Sequence, residues 1–306
     1  MAEAYLNIAQ VRVKSKKNPI KISSVFLYII VALFSLVCII PFLVILSASF
    51  TDEQAIVDFG YSLWPIKFSS FAYNVILSGS VGIVKSYMTT IVVTIVGTLA
   101  SLLLTLLLAY PLSRKKYRFR NAVNFYIFFT MLFNGGIVSW YILCTRYLGL
   151  RNNYAALIIP YLLNAWYVFL LRNFLATIPD SIEESATIDG AGNFRILFQI
   201  FVPLALPGIA TVGLFNTLLY WNDWWLSLML CDGNELVPLQ LYLMRIIQSV
   251  EFLKNNINVS QLKYSTIPSE SVRMAICVLA TGPIILAYPF FQRYFIKGLV
   301  IGSIKG

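Results

Sequence analysis

The chain contains no histidine, so the commonest general base and the commonest metal ligand are both missing. Its four cysteines, Cys38, Cys144, Cys231 and Cys277, are scattered singly, a pattern that indicates neither a disulfide framework nor a zinc site. No Gly-x-x-x-x-Gly-Lys-Ser/Thr loop occurs, so hydrolysis of a nucleotide by that route is not expected. An enzyme, a resident metal and a cofactor are therefore not expected in this chain. What remains is a knot of acids in Ile178–Arg195, namely Asp180, Glu183, Glu184 and Asp189. Their chemistry is that of a helix end. Asp180 can cap a short helix with Glu183 three residues on, and all three leading acids complement the positive helix N-terminus. Gly190 supplies the left-handed turn that ends this helix, and Asn193 can begin the next. Ile182, Ala186 and Gly190 fall four apart, a narrow small-to-apolar stripe suited to a groove on a partner protein.

The elements that carry this segment are set by composition. With 59% hydrophobic and 12% charged residues and a mean hydropathy of +0.77, the chain departs from soluble globular proteins. Six charge-free stretches are long enough to cross the bilayer as helices: Ile22–Thr51, Ser86–Ser113, Asn121–Thr145, Tyr154–Leu171, Ile196–Asn222 and Met274–Gln292. Lipid offers no partner for backbone groups, and these runs do not alternate as barrel strands do. The fold class expected is thus all-α, a polytopic membrane protein with six transmembrane helices. Of 23 Lys and Arg, most fall before the first span, between spans two and three, between four and five, and after the sixth. The positive-inside rule then makes the N- and C-termini and the acidic segment cytoplasmic. The +10 net charge is topological in this reading, and no nucleic-acid partner is expected.

Along the chain, residues 1–21 form a basic cytoplasmic tail, 22–292 a membrane domain with the segment 178–195 on the cytoplasmic side, and 293–306 a cytoplasmic tail. Residues 223–273 form the largest outer segment, and an aromatic-rich outer loop spans 52–85. The basic run Arg114, Lys115, Lys116, Arg118 and Arg120 reads as an anchor to lipid headgroups. Asn134-Gly135-Gly136 breaks the third span near its outer end. Thr90, Thr94, Thr98, Ser101 and Thr105 line one face of the second span, where small hydroxyl residues serve either close helix packing or a pore lining. No charge lies well inside a span, which argues against a proton- or sodium-coupled carrier.

Glu184-Ser185-Ala186, three residues, Gly190, nine residues, Ile200, one residue, then Val202-Pro203 resembles the Glu-Ala-Ala…Gly…Ile-x-Leu-Pro signature of permease subunits of binding-protein-dependent ATP-binding-cassette importers. Two positions depart from it conservatively, Ser185 for Ala and Val202 for Leu. Phe133–Gly136, Ile178-Pro179, Trp221-Asn222-Asp223-Trp224 and the ending Arg293–Gly306 are similar to the carbohydrate-uptake branch of that family, within it the importers of oligosaccharides and polysaccharides. The resemblance implies a type I importer permease in the bacterial cell membrane. Implied partners are a homologous second permease in a heterodimer, two copies of an ATPase that holds the ATP and Mg, and an extracytoplasmic solute-binding protein. It implies that Asp180, Ile182, Glu183, Glu184, Ser185, Ala186, Asp189, Gly190 and Pro203 couple the chain to the ATPase, with Glu184 anchoring the helix, Ala186 allowing close approach and Gly190 permitting the turn. A permease for phosphate, polyamine or peptide stays open beside the sugar reading, as does an autonomous channel or secondary carrier.

A sugar in the pathway would be held by amides and rings. The candidates are Asn164 with Trp166 and Tyr167 on the fourth span, Asn216 with Tyr220 on the fifth, and Trp221 at its end. The alternative is that the asparagines bond between helices and that Trp221 anchors at the interface.

Overall fold

The computed structural model describes residues 22–77, 80–233, 236–256 and 270–302. The basic tail 1–21, Glu235, Lys263 and Lys305 lie outside the described residues. Two compact units divide at Val44 and Ile45. The first contributes most of helix α1 (Ile22–Ser49), whose apolar side chains over 25–43 are exposed.

The second unit is helical among the described residues. It comprises α2 (Glu53–Phe59), α3 (Phe71–Leu77), α4 (Ser80–Ser113), α5 (Arg120–Leu132), α6 (Gly136–Tyr147), α7 (Tyr154–Tyr161), α8 (Ala165–Ala176), α9 (Asp180–Ile188), α10 (Asn193–Leu204), α11 (Leu206–Trp221), α12 (Trp225–Leu230), α13 (Leu239–Asn256) and α14 (Glu270–Gly302). By length and composition, Val25–Ser49 and Gly82–Ser113 can each cross a membrane, and three bent pairs raise the number to as many as five. α14 is continuous across the sixth expected span and runs on through Gly302, well past Gln292.

Spans three to five are not single rods. α5 and α6 meet at 116° at the expected Asn134-Gly135-Gly136 break. There Asn134 Oδ1 accepts the Gly136 N–H at 2.8 Å, and Gly136 takes φ +80°. The other two bends were not foreseen. α7 and α8 meet at 54° because Asn164 takes an extended backbone and caps α8 with its own side chain. α10 and α11 meet at 83° around Ala205. Pro207 has no N–H for the Pro203 carbonyl four residues back, and its ring would collide with that carbonyl, so the helix cannot run straight.

α4 is the spine. Gly97 lies so close to the ring of Tyr220 on α11 that a Cβ there would sit 2.6 Å from Tyr220 Cζ, and Gly208 on α11 accepts Phe174 of α8 in the same way. The missing side chains let these helices approach, as membrane helix packing requires. At the Ser113 end a core of Leu112, Leu171, Leu175, Ile196 and Phe201 gathers α4, α8, α10 and α11, and at the Ser80 end Ile76, Ile83, Leu239, Leu243 and Ile276 join α3, α4, α13 and α14. Glu53 closes that second end, because its carboxylate accepts the N–H groups of Glu270 and Ser271 at 2.9 Å and the Ser271 hydroxyl at 2.7 Å. It thereby caps α14.

Candidate coupling site

α9 has nine residues, too few to be stable alone. Three devices hold it. The first is its start. Pro179, with ψ 139°, occupies the capping position, and no side chain caps the helix, so Asp180 is the first helical residue rather than the cap. Asp180 is shifted by one because the proline already stops α8 and presets the backbone. It pairs elsewhere.

The second device is Arg114, 5% exposed, at the end of α4. Its guanidinium donates to the Ile178 carbonyl at 3.3 Å, to the Leu175 carbonyl, and to Asp180 Oδ1 at 3.1 Å. Glu183 stands 3.8 Å away, and the cation lies 4.7 Å from the Phe201 ring centroid. One cation thus neutralises the carbonyl end of α8 and the acids at the start of α9, and its planar fork is the geometry such multiple acceptance needs. The run Arg114–Arg120 is therefore not simply a headgroup anchor, since Lys116 also donates to Glu184 Oε1 at 2.9 Å. That hydrogen bond, and the negative charge behind it, raise the Lys116 pKa.

The third device is the end. The Ala191 N–H reaches back to the Ala186 carbonyl and the Gly190 N–H to the Thr187 carbonyl, both at 3.0 Å, while Gly190 takes φ +81°. This is a Schellman closure with glycine in the left-handed position. Asp189 precedes it as the helix C-cap. The following helix starts at Asn193 with Gly192 as its cap, so Asn193, like Asp180, sits one place inside the predicted cap.

The faces of α9 correct the sequence reading. Ala186 is buried and Ile182 half-buried against the chain's own core of Leu175, Ile178, Ile196 and Leu197. The Ile182 and Ala186 part of the small-to-apolar stripe is thus covered from within, because the ends of α8 and α10 reach it first, whereas Gly190 at its end stays outward. Glu184, Ser185, Thr187, Asp189 and Gly190 face outward. With them stand Ile188, 85% exposed, and Phe194, 72% exposed. Sequence spacing missed this apolar pair, which flanks the Asp189-Gly190 turn and lies off the four-residue stripe. Pro203 is exposed, at the bend before α11.

The pathway candidates scatter. Asn164 Oδ1 accepts the Trp166 and Tyr167 N–H groups at 2.9 and 3.4 Å, so its side chain serves the helix start. Trp166 is exposed, and both Trp166 and Tyr167 stack or edge onto Phe215. Tyr220 and Trp221 are interior, their polar atoms donating to the Ile158 and Ala280 carbonyls at 3.0 Å. Asn216 is 0% exposed and its amide has no protein partner among the described residues. The hydroxyl stripe is buried too, with Thr90 accepting the Leu239 N–H at 2.8 Å.

Long apolar helices, glycine-mediated close crossings and a short acidic helix riveted to the ends of the bundle define an integral membrane permease subunit. The chain belongs to the family described as "Binding-protein-dependent transport system inner membrane component", whose match covers residues 101–301. It is 36% identical over 286 residues to the polygalacturonan/rhamnogalacturonan transport system permease protein YtcP of Bacillus subtilis, covering 94% of this chain and 99% of that one. It is 34% identical to Protein LplC of the same organism, over 88% of this chain and 90% of that one. Among solved structures, a chain of a bacterial ABC transporter involved in the import of the acidic polysaccharide alginate superposes with a TM-score of 0.75 at 32% identity, covering 90% of this chain and 97% of that one.

Proposed function

We propose that this chain is one of two homologous permease subunits of an ATP-driven importer of oligosaccharides or polysaccharide fragments in the bacterial plasma membrane. In this reading the chain has six spans with both termini cytoplasmic, α9 faces the ATPase side, where two ATPase subunits hold ATP and Mg, and an extracytoplasmic binding protein delivers the cargo to the opposite face. The observation that carries this reading is the mounting of α9. Arg114 and the Ala186 packing tie it rigidly to α4, α8 and α10, while Ile188, Phe194, Thr187 and the Gly190 turn are left outward as a docking patch. A displacement of that patch therefore moves membrane helices and not a loop.

Asp180, Glu183 and Glu184 work through Arg114 and Lys116 as positioning residues in this scheme, and Gly190 fixes the turn. The cargo reading is supported by relatives named for polygalacturonan, rhamnogalacturonan and alginate. These are acidic chains, so a uronate-containing saccharide is the specific proposal. The test is ATP-dependent uptake of labelled oligogalacturonate by proteoliposomes holding the whole complex. Uptake that persists without the ATPase, or by this chain alone, contradicts the reading.

A further inference from the structure

Two arginines lie together at the ends of neighbouring helices, and no acid among the described residues pairs with either. Arg120 directly precedes the third expected span and begins α5, and Arg172 directly follows the fourth on α8. Val123 and Ile127 of α5 join the core of Val168, Leu171 and Leu175 of α8, and this packing carries the two cations to one place. Both are half-buried, and the charge of Arg120 opposes that of Arg172.

Arg172 is tied by one nitrogen, its Nε donating to the Leu112 carbonyl at 3.2 Å. The Arg120 guanidinium has no hydrogen bond, ion pair or ring contact among the described residues, and its Nε is buried in that condition. One turn on, Asn124 Oδ1 is also buried without a partner among the described residues. Asp180, Glu183 and Glu184, the acids that follow Arg172 in the chain, are engaged by Arg114 and Lys116. Like charges held together in a half-buried place are unfavourable unless an anion joins them. The start of α5 adds to that demand. Phe119, at its cap, offers no side-chain bond to the first turn, so the positive end of the helix dipole points to the same place as Arg120.

Further along α5 the surface turns apolar. Positions 120, 124, 128 and 131 run along one side of the helix, and Phe128 and Met131 are exposed there. An anion that suits both parts carries oxygens at one end and hydrocarbon at the other. We propose that Arg120 and Arg172 clamp the phosphodiester of an anionic phospholipid of the cytoplasmic leaflet, with its acyl chains along Phe128 and Met131. Guanidinium forks bind phosphate oxygens in pairs, and basic pockets between spans on the cytoplasmic side suit such headgroups. A free phosphate would use the cations but not the apolar side. The proposal rests on the membrane orientation read above, which labelling of Lys115→Cys from one side of sealed membranes tests by itself, in a chain lacking the native cysteines.

The experiment uses the complete importer, purified and returned to vesicles of phosphatidylcholine alone or mixed with phosphatidylglycerol. Native mass spectrometry reads the lipid that stays bound, and a thermal melt reads stability. The wild type is expected to retain phosphatidylglycerol and to melt higher in the mixed vesicles. Arg120→Gln and Arg172→Gln are expected to weaken that binding roughly 5-fold each, and Arg120→Lys should keep part of it. Arg118→Gln, which removes an exposed cation of the same run, should change binding by less than about twofold. In phosphatidylcholine alone Arg120→Gln should melt no lower than the wild type, because it removes a like-charge contact, whereas a purely structural arginine would lose stability in both vesicles. Should Arg172→Gln fail to assemble without its bond to Leu112, Arg120→Gln carries the test. Equal retention of phosphatidylglycerol by the wild type and Arg120→Gln overturns the site. Inorganic phosphate that supplies the whole thermal gain overturns the lipid in favour of a free anion. Loss of the partner permease or the ATPase from Arg120→Gln, at unchanged lipid binding, overturns it in favour of an acidic protein contact.

Discussion

Replacing Arg114 with alanine tests the mounting of α9 directly. The substitution strands the Leu175 and Ile178 carbonyls, leaves Asp180 and Glu183 without their cation and removes the contact with Phe201. Breaking a buried charge pair costs about 3–5 kcal/mol when the partner charge stays buried. Here Asp180 is 50% exposed at its side chain and Glu183 23%,, so water recovers part of that loss and the lower end, about 3 kcal/mol, is the appropriate figure. At about 2–4 °C per kcal/mol, the melting temperature of the subunit in nanodiscs should fall by roughly 6–12 °C. Arg114→Lys should lie between, since an ammonium cannot span two carbonyls and a carboxylate together. Hydrogen exchange locates the loss. Amides of residues 180–186 should lose protection in both variants while those of α4 near Gly97 keep theirs. Melting within about 2 °C of wild type, together with unchanged protection of α9, would refute the rivet.

At Gly190 a Cβ meets no atom within 4 Å, so the strain of Gly190→Ala is conformational, about 1 kcal/mol; Gly190→Pro also abolishes the bond to Thr187 and should uncouple ATP hydrolysis from uptake, read by comparing the two rates in one preparation. Asn216→Leu exchanges a buried amide without a protein partner among the described residues for an apolar group of similar size, and stability should hold or rise by about 1 kcal/mol; a clear drop in the thermal midpoint would mean that another group, such as a water or cargo hydroxyl, bonds this amide. Asp223 receives bonds from the Tyr161 hydroxyl and the Leu226 N–H, yet burial outweighs them and holds its carboxyl above the ordinary value. The fold therefore disfavours its charged form, and wild-type stability is lost as pH rises from the ordinary carboxylate range near about 4 through the raised value. Asp223→Asn cannot ionise, so its melting temperature relative to wild type should become more positive over that rise, and a flat or falling difference would contradict the argument.

Much of this protein was legible in its sequence because lipid imposes simple rules. A long charge-free run must be helical, and α1, α4 and α14 lie where hydropathy placed helices. The Asn134-Gly135-Gly136 break and the Gly190 turn were legible for the same reason, since only certain residues adopt those backbones. The spacing from Glu184 to Pro203 carried the family. Tertiary structure decided what each residue faces. Arg114 and Arg118 look alike in a basic run, but only Arg114 ends α4 beside the carbonyls of α8 and the acids of α9. The stripe of Ile182 and Ala186 is apolar in either setting; that it meets the chain's own core, leaving Ile188 and Phe194 outward, depends on where α8 and α10 end. Likewise Pro203, Pro207 and Asn164 announce local irregularity, whereas the 83° and 54° bends depend on the helices that receive the turned segments. Periodicity fixes which residues share a face, because it is a property of one helix. Which neighbour that face meets is a property of several helices far apart in the chain, and no local spacing encodes it.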